Sequence, residues 1–121
     1  MLRNDFFKIN SLNFDENELV SNISLNAKHA IFEGHFPENP VTPGVVQMQI
    51  VKEVLEVYFE KKLQLSTMGR CKFLNILSPI DTKNLDVKIK IRETDDELSI
   101  SAAGVDNEIA FFKFNAIYQY R

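Results

Sequence analysis

From Val45 to about Lys62 runs a segment that is apolar around most of a helical wheel, with Val45, Val46, Met48, Ile50, Val51, Val54, Leu55, Val57, Tyr58 and Phe59 covering it. The polar remainder forms one stripe. Gln49, Glu53, Glu56 and Glu60 follow steps of four, three and four, which keeps them on one helical face, with Lys52 beside them. A helix this apolar cannot lie on a surface with one side wet, so it predicts enclosure by other structure. For Glu56 and Glu60 the plain reading is a solvated stripe.

The wrapping has to be β-structure. Leu19 to Leu25, Gly69 to Leu77, Leu85 to Arg92, Leu98 to Val105 and Glu108 to Tyr120 are short runs rich in β-branched and aromatic residues. In Val87-Lys88-Ile89-Lys90-Ile91-Arg92 apolar and basic residues alternate faces. Glu93-Thr94-Asp95-Asp96-Glu97 and Asp106-Asn107 carry turn chemistry, so the last three strands read as an antiparallel meander. One wrapped helix followed by antiparallel strands is an α+β architecture, and 121 residues make a single domain, 1–121.

Just before the helix lies Gly34-His35-Phe36-Pro37-Glu38-Asn39-Pro40-Val41-Thr42-Pro43-Gly44. Its three prolines each fix a φ angle and restrict the preceding residue, so His35 sits on a segment with little freedom and is a candidate acid or base. Thr42 reads as a possible N-cap and Pro43 as near the first helical position. The N–H donors of a helix start would then lie beside the histidine.

The excluded classes follow from charge and cysteine count. A formal charge of −3 and a pI near 5.4 argue against general nucleic-acid binding. A single cysteine, Cys71, rules out an internal disulfide and a multi-cysteine metal site and suits a reducing compartment. No run approaches a membrane span or a secretory signal, which leads us to expect a cytoplasmic protein.

The loop and helix start resemble the hot-dog-fold 3-hydroxyacyl-acyl carrier protein dehydratases of fatty-acid synthesis. That family carries Gly-His-Phe-Pro, then Pro-Val or Pro-Ile two residues on, one variable residue, and Pro-Gly-Val leading into the central helix; Gly34 to Val45 match throughout. Phe32 also fits, and Lys72-Phe73 with Pro79-Ile80-Asp81 looks like two downstream elements of the family, Ile80 replacing a glycine.

The resemblance implies a hot-dog fold, a long helix wrapped by a curved antiparallel sheet, assembled as a homodimer or higher oligomer with its site between subunits. It implies dehydration of a 3-hydroxyacyl thioester to a trans-2-enoyl thioester. His35 would be the base, the backbone N–H groups of Gly44 and Val45 the oxyanion donors, and Phe32 and Phe36 walls of an acyl tunnel. No metal or diffusible cofactor is implied, since the phosphopantetheine arm belongs to the substrate. The partner would be an acyl carrier protein, for which Lys61, Lys62, Arg70, Lys72, Lys88, Lys90 and Arg92 are candidate docking cations. Cys71 reads as a buried small hydrophobe and His29 as structural or exposed.

On the helix the family's catalytic pair looks exchanged. Five residues beyond the Pro-Gly glycine the family has a catalytic carboxylate; here stands Gln49, and Glu53 occupies a position where the family commonly has glutamine. A glutamine hydrogen-bonds but is no carboxylic acid. Three readings remain open: Glu53 serves as the acid, His35 performs both proton transfers with help from Gln49, or the protein binds acyl carriers without dehydrating them. A hot-dog thioesterase and a heterodimer-stabilising subunit are the corresponding alternatives.

Overall fold

The computed structural model describes residues 1–30 and 41–121. His35, Phe32 and Phe36 therefore lie outside the described residues. The chain forms β1 (Phe7–Asp15), β2 (Glu18–Leu25), helix α1 (Gly44–Phe59), β3 (Leu63–Phe73), β4 (Asn84–Glu93), β5 (Glu97–Asp106) and β6 (Ile109–Tyr120). The strands make one antiparallel sheet in the order β1-β2-β4-β5-β6-β3, with the expected β4-β5-β6 meander at its middle.

Alternation along the strands decides which side meets the helix. Leu19 and Ile23 on β2, Leu85, Val87 and Ile89 on β4, Leu98, Ile100 and Ala102 on β5, and Phe112, Phe114, Ala116 and Tyr118 on β6 are buried. They form one core with Val46, Ile50, Val51, Val54 and Leu55 of α1. This is the predicted hot-dog arrangement. Rings of Phe14, Tyr58, Phe59 and Tyr120, in successive contact at 5.3, 5.0 and 6.4 Å between centroids, carry the packing past the helix C-terminus.

Three boundaries differ from expectation. The helix stops at Phe59 rather than near Lys62, because Glu60 takes a left-handed cap conformation with φ 54°. β3 consequently begins at Leu63, whose N–H donates to Glu56 Oε2 at 2.8 Å, and it ends at Phe73 instead of running from Gly69 to Leu77. β1 was not expected at all. Its Phe-Lys-Ile-Asn-Ser-Leu-Asn-Phe-Asp is an exposed edge strand, joined to β2 through Glu16 and Asn17, both at positive φ, as a two-residue hairpin turn requires.

Tyr118 gives the fold a pH limit. Burial, with the negative charge of Glu56 added, pushes its phenol up to about 12 from 10.0. Because the folded-state value is raised, this stabilisation is complete below the unfolded value and is lost as pH rises through the folded one. A loss on the order of 2–3 kcal/mol is expected between about pH 10 and pH 12. Denaturant titrations should show that loss in the wild type and a much shallower one in Tyr118→Phe.

Candidate active site

The helix entry differs in detail from the expected cap. Pro43 is the N-cap, with φ −60° and ψ 150° and no side-chain cap bond. Thr42 does not cap, because it lies one residue too early and is tied down elsewhere. Its N–H donates to Leu77 O at 2.8 Å and its carbonyl accepts from Gln47 Nε2 at 2.9 Å. Pro43 O accepts the N–H groups of both Val46 and Gln47 at 3.1 Å.

The N–H groups of Gly44 and Val45 consequently have no hydrogen-bond partner among the described residues, as helix geometry leaves them. No acidic residue stands in the first turn to offset the dipole, so this end keeps a positive potential suited to a developing oxyanion. The Phe73 ring lies on Gly44, and a Cβ there would come within 2.6 Å of the ring tip, so any larger residue has to push that ring aside.

One turn onward the polar stripe turns inward. Glu53, expected on a solvated or substrate-facing stripe, is 0 % exposed. The Leu2 N–H donates to both of its oxygens at 2.9 Å, the Arg3 N–H to Oε1 at 2.9 Å, and Gln49 Nε2 to Oε2 at 2.9 Å. Three N–H donors thus engage both carboxylate oxygens, which is what a buried charge needs. Glu56 is half-buried through its bond to Leu63, and only Glu60 of the stripe is exposed.

Gln49 borders two shallow cavities of different character. One, about 370 Å³, is lined by Met1, Leu2, Val45, Val46, Gln49 and Glu53 and runs from the helix entry to the Gln49–Glu53 pair. The other, about 470 Å³, adds Lys52, Lys62 and Arg121 to Met1, Gln49 and Glu56 and is cationic. An apolar acyl chain and an anionic group could thus approach Gln49 from different sides.

Sequence reasoning missed Leu2 and Arg3, whose backbone holds Glu53, and Gln47, which is buried on the core face of α1. Gln47 Oε1 and Thr42 Oγ1 are buried without a partner among the described residues. A polar residue on the apolar face was the available signal for Gln47; local sequence carries none for a backbone contact across fifty residues.

The candidate cations scatter. Lys62 reaches the site, whereas Lys61 sits 4.6 Å over the Tyr120 ring. Lys72 pairs directly with Lys113, and Lys113 leads through Ala103 to Lys88 along the outer sheet face. Cys71, expected to be buried, is half-buried because β3 is an edge strand. His29 is structural: its Nε2 lies 3.0 Å from Asp5 Oδ2 and its ring meets Phe6 edge-on at 5.4 Å.

Comparison with known proteins agrees with this geometry. The chain is 29% identical over 111 residues to the 3-hydroxyacyl-[acyl-carrier-protein] dehydratase FabZ of Latilactobacillus sakei subsp. sakei (strain 23K), covering 82% of this chain and 76% of that one. It is 33% identical over 73 residues to FabZ of Thermoanaerobacter sp. (strain X514), covering 54% of this chain and only 51% of that one.

Among solved structures, the dehydratase heterocomplex ApeI:P from Xenorhabdus doucetiae superposes with a TM-score of 0.72 at 21% identity, covering 93% and 96% of the two chains. The putative thioesterase yhdA from Lactococcus lactis gives 0.69 at 10% identity, covering 96% and 92%. At such identities the superpositions establish the hot-dog fold. The family follows from sequence: the ApeI-like model, described as ApeI dehydratase, matches residues 11–112, and the chain belongs to that dehydratase family.

Proposed function

We infer that the chain removes water from 3-hydroxyacyl thioesters to give trans-2-enoyl thioesters, in fatty-acid or related lipid or polyene synthesis. The observation that carries this reading is the Gly34–Val45 run, which sets His35 ahead of a helix whose Gly44 and Val45 N–H groups are unused among the described residues. His35 takes the C2 proton, and the thioester oxygen gathers charge against those N–H groups. The C2–C3 double bond then forms as the C3 hydroxyl leaves with a proton. The proposed chemistry uses no metal or diffusible cofactor, and the phosphopantetheine arm arrives with the substrate.

Incubation with 3-hydroxyacyl carrier protein, followed by mass spectrometry, tests the reading directly. Loss of water with the thioester intact is expected. Release of free acid instead would make the protein a thioesterase, an alternative with which the fold is compatible.

An acyl carrier protein is the proposed partner, and the cytoplasm, which suits the single thiol Cys71, is the proposed location. The Lys52, Lys62 and Arg121 mouth beside Gln49 favours an acidic carrier docking there. Reversing Lys62 and Arg121 to glutamate should raise KM for carrier-bound substrate about tenfold or more, since two attractive charges become repulsive. KM for a short thioester lacking the carrier protein should hardly move.

The working unit is proposed to be a homodimer. Residues 41–45 and 73–77 run side by side, joined by the Thr42–Leu77 bond and the Phe73 ring on Gly44. They leave Val41, Val45, Phe73, Leu74 and Ile76 exposed at the helix entry, beside the free edge of β3. A second subunit covering this patch would complete the site. Gln49 supports one further reading, that the covering subunit is a different hot-dog chain supplying the carboxylate. Analytical ultracentrifugation of the isolated chain beside the activity assay separates the two.

A further inference from the structure

We propose that Glu53 is a positioning residue that locks the amide of Gln49, so that Gln49 offers its carbonyl oxygen, as an acceptor, to the 3-hydroxyl of the substrate. The assignment rests on the dehydratase reading above. Its physical basis is the engagement of Glu53 by donors on both oxygens. Both carboxylate oxygens are occupied by donors, from Leu2, Arg3 and Gln49, and the group is 0 % exposed. Each oxygen faces two N–H contacts, and no acceptor for a proton lies beside them among the described residues. Four residues along a helix bring 49 and 53 into register on one face, which is why the amide reaches the carboxylate at 2.9 Å.

That contact decides which way the amide faces. A carboxylate can only accept, so Nε2 must point at Glu53 and Oε1 away from it. Oε1 has no partner among the described residues, and Gln49 lines the cavity that begins at the helix entry with Val45 and Val46. A hydroxyl O–H donated to Oε1 would be aligned there for departure. Because Gln49 gives no proton, the proton that His35 takes from C2 returns from its imidazolium to the leaving hydroxyl. Water and the enoyl thioester form with nothing consumed. The same carboxylate draws residues 2 and 3 across α1, and Met1 and Leu2 line that cavity.

Glu53→Gln is the informative variant. The new amide oxygen can still accept the Leu2 and Arg3 N–H groups, which leaves an NH₂ group facing Gln49 and forces the Gln49 amide to turn over. The substrate hydroxyl would then meet a donor. The expected result is a fall in kcat of roughly 10- to 100-fold, the size of one misdirected hydrogen bond, with KM changed less than threefold. In a Gln49→Ala background the same Glu53→Gln change should have little further effect on kcat, because Glu53 acts through Gln49.

Equal losses from Glu53→Gln in both backgrounds would overturn the assignment and leave Glu53 as a fastener of the N-terminal segment alone. The Gln49 side-chain amide signals, read by NMR on the ligand-free protein, supply a test independent of turnover. They should shift on Glu53→Gln; unchanged signals would refute the lock even if the protein dehydrates nothing. An amide shift on Glu53→Gln beside a wild type that loses no water would refute the dehydratase reading and with it the substrate contact.

Discussion

Dehydration by His35→Ala is expected to fall by about two to four orders of magnitude while the fold survives, the usual effect of losing a general base. No described group can replace it. The other histidine, His29, is committed to Asp5 and Phe6. Glu53 is enclosed by N–H donors, Cys71 is half-buried on the edge strand, and Gln49 cannot take up a proton at neutral pH. His35 would therefore carry the proton in both directions, making the loss larger than in a site where a carboxylate shares the work. The sequence puts His35 in the proline-fixed run ahead of the helix and outside the apolar periodic segments, so circular dichroism and the denaturant midpoint should match the wild type. Turnover within tenfold of wild type would remove His35 from the mechanism.

The parts of the molecule legible in advance were those governed by periodicity. The alternation of Val87 to Arg92 puts Lys88 and Lys90 on the outer face and Val87 and Ile89 in the core. The apolar wheel of α1 likewise requires the sheet that curls around it. Edges were less legible. β1 has no buried outer partner to demand a hydrophobic pattern, and its Asn10 instead donates to Asn22 and Ser24 of β2 in a polar network.

The site divides in the same way. The Gly34–Val45 run is local, and its resemblance to a family could be read directly. The state of Glu53 could not be, because its burial depends on backbone donors from Leu2 and Arg3 that no pattern within the helix reports. The stripe that reads as solvated is in fact graded from a buried carboxylate at 53, through Glu56 capping the start of β3, to an exposed residue at 60.

Placing aspartate at both Val45 and Ile76 is expected to give a folded but monomeric and inactive protein. Val45 is 75% exposed and Ile76 72%, so neither contributes to the core of one chain, and circular dichroism should show the fold retained. In the proposed dimer both would be covered. Each change removes about 1.5–3 kcal/mol of apolar burial and sets a carboxylate where it has no partner. Together these effects should weaken association by at least about a thousandfold, which is roughly 4 kcal/mol. Val45 also follows Gly44 at the donor end of the helix, so a negative charge there opposes the oxyanion that the free N–H groups are placed to receive. Ile76→Asp alone separates the two effects, since it lies off the helix: loss of both dimer and turnover ties activity to assembly. A single-charge variant that sediments as a monomer yet dehydrates normally would show that one chain holds a complete site.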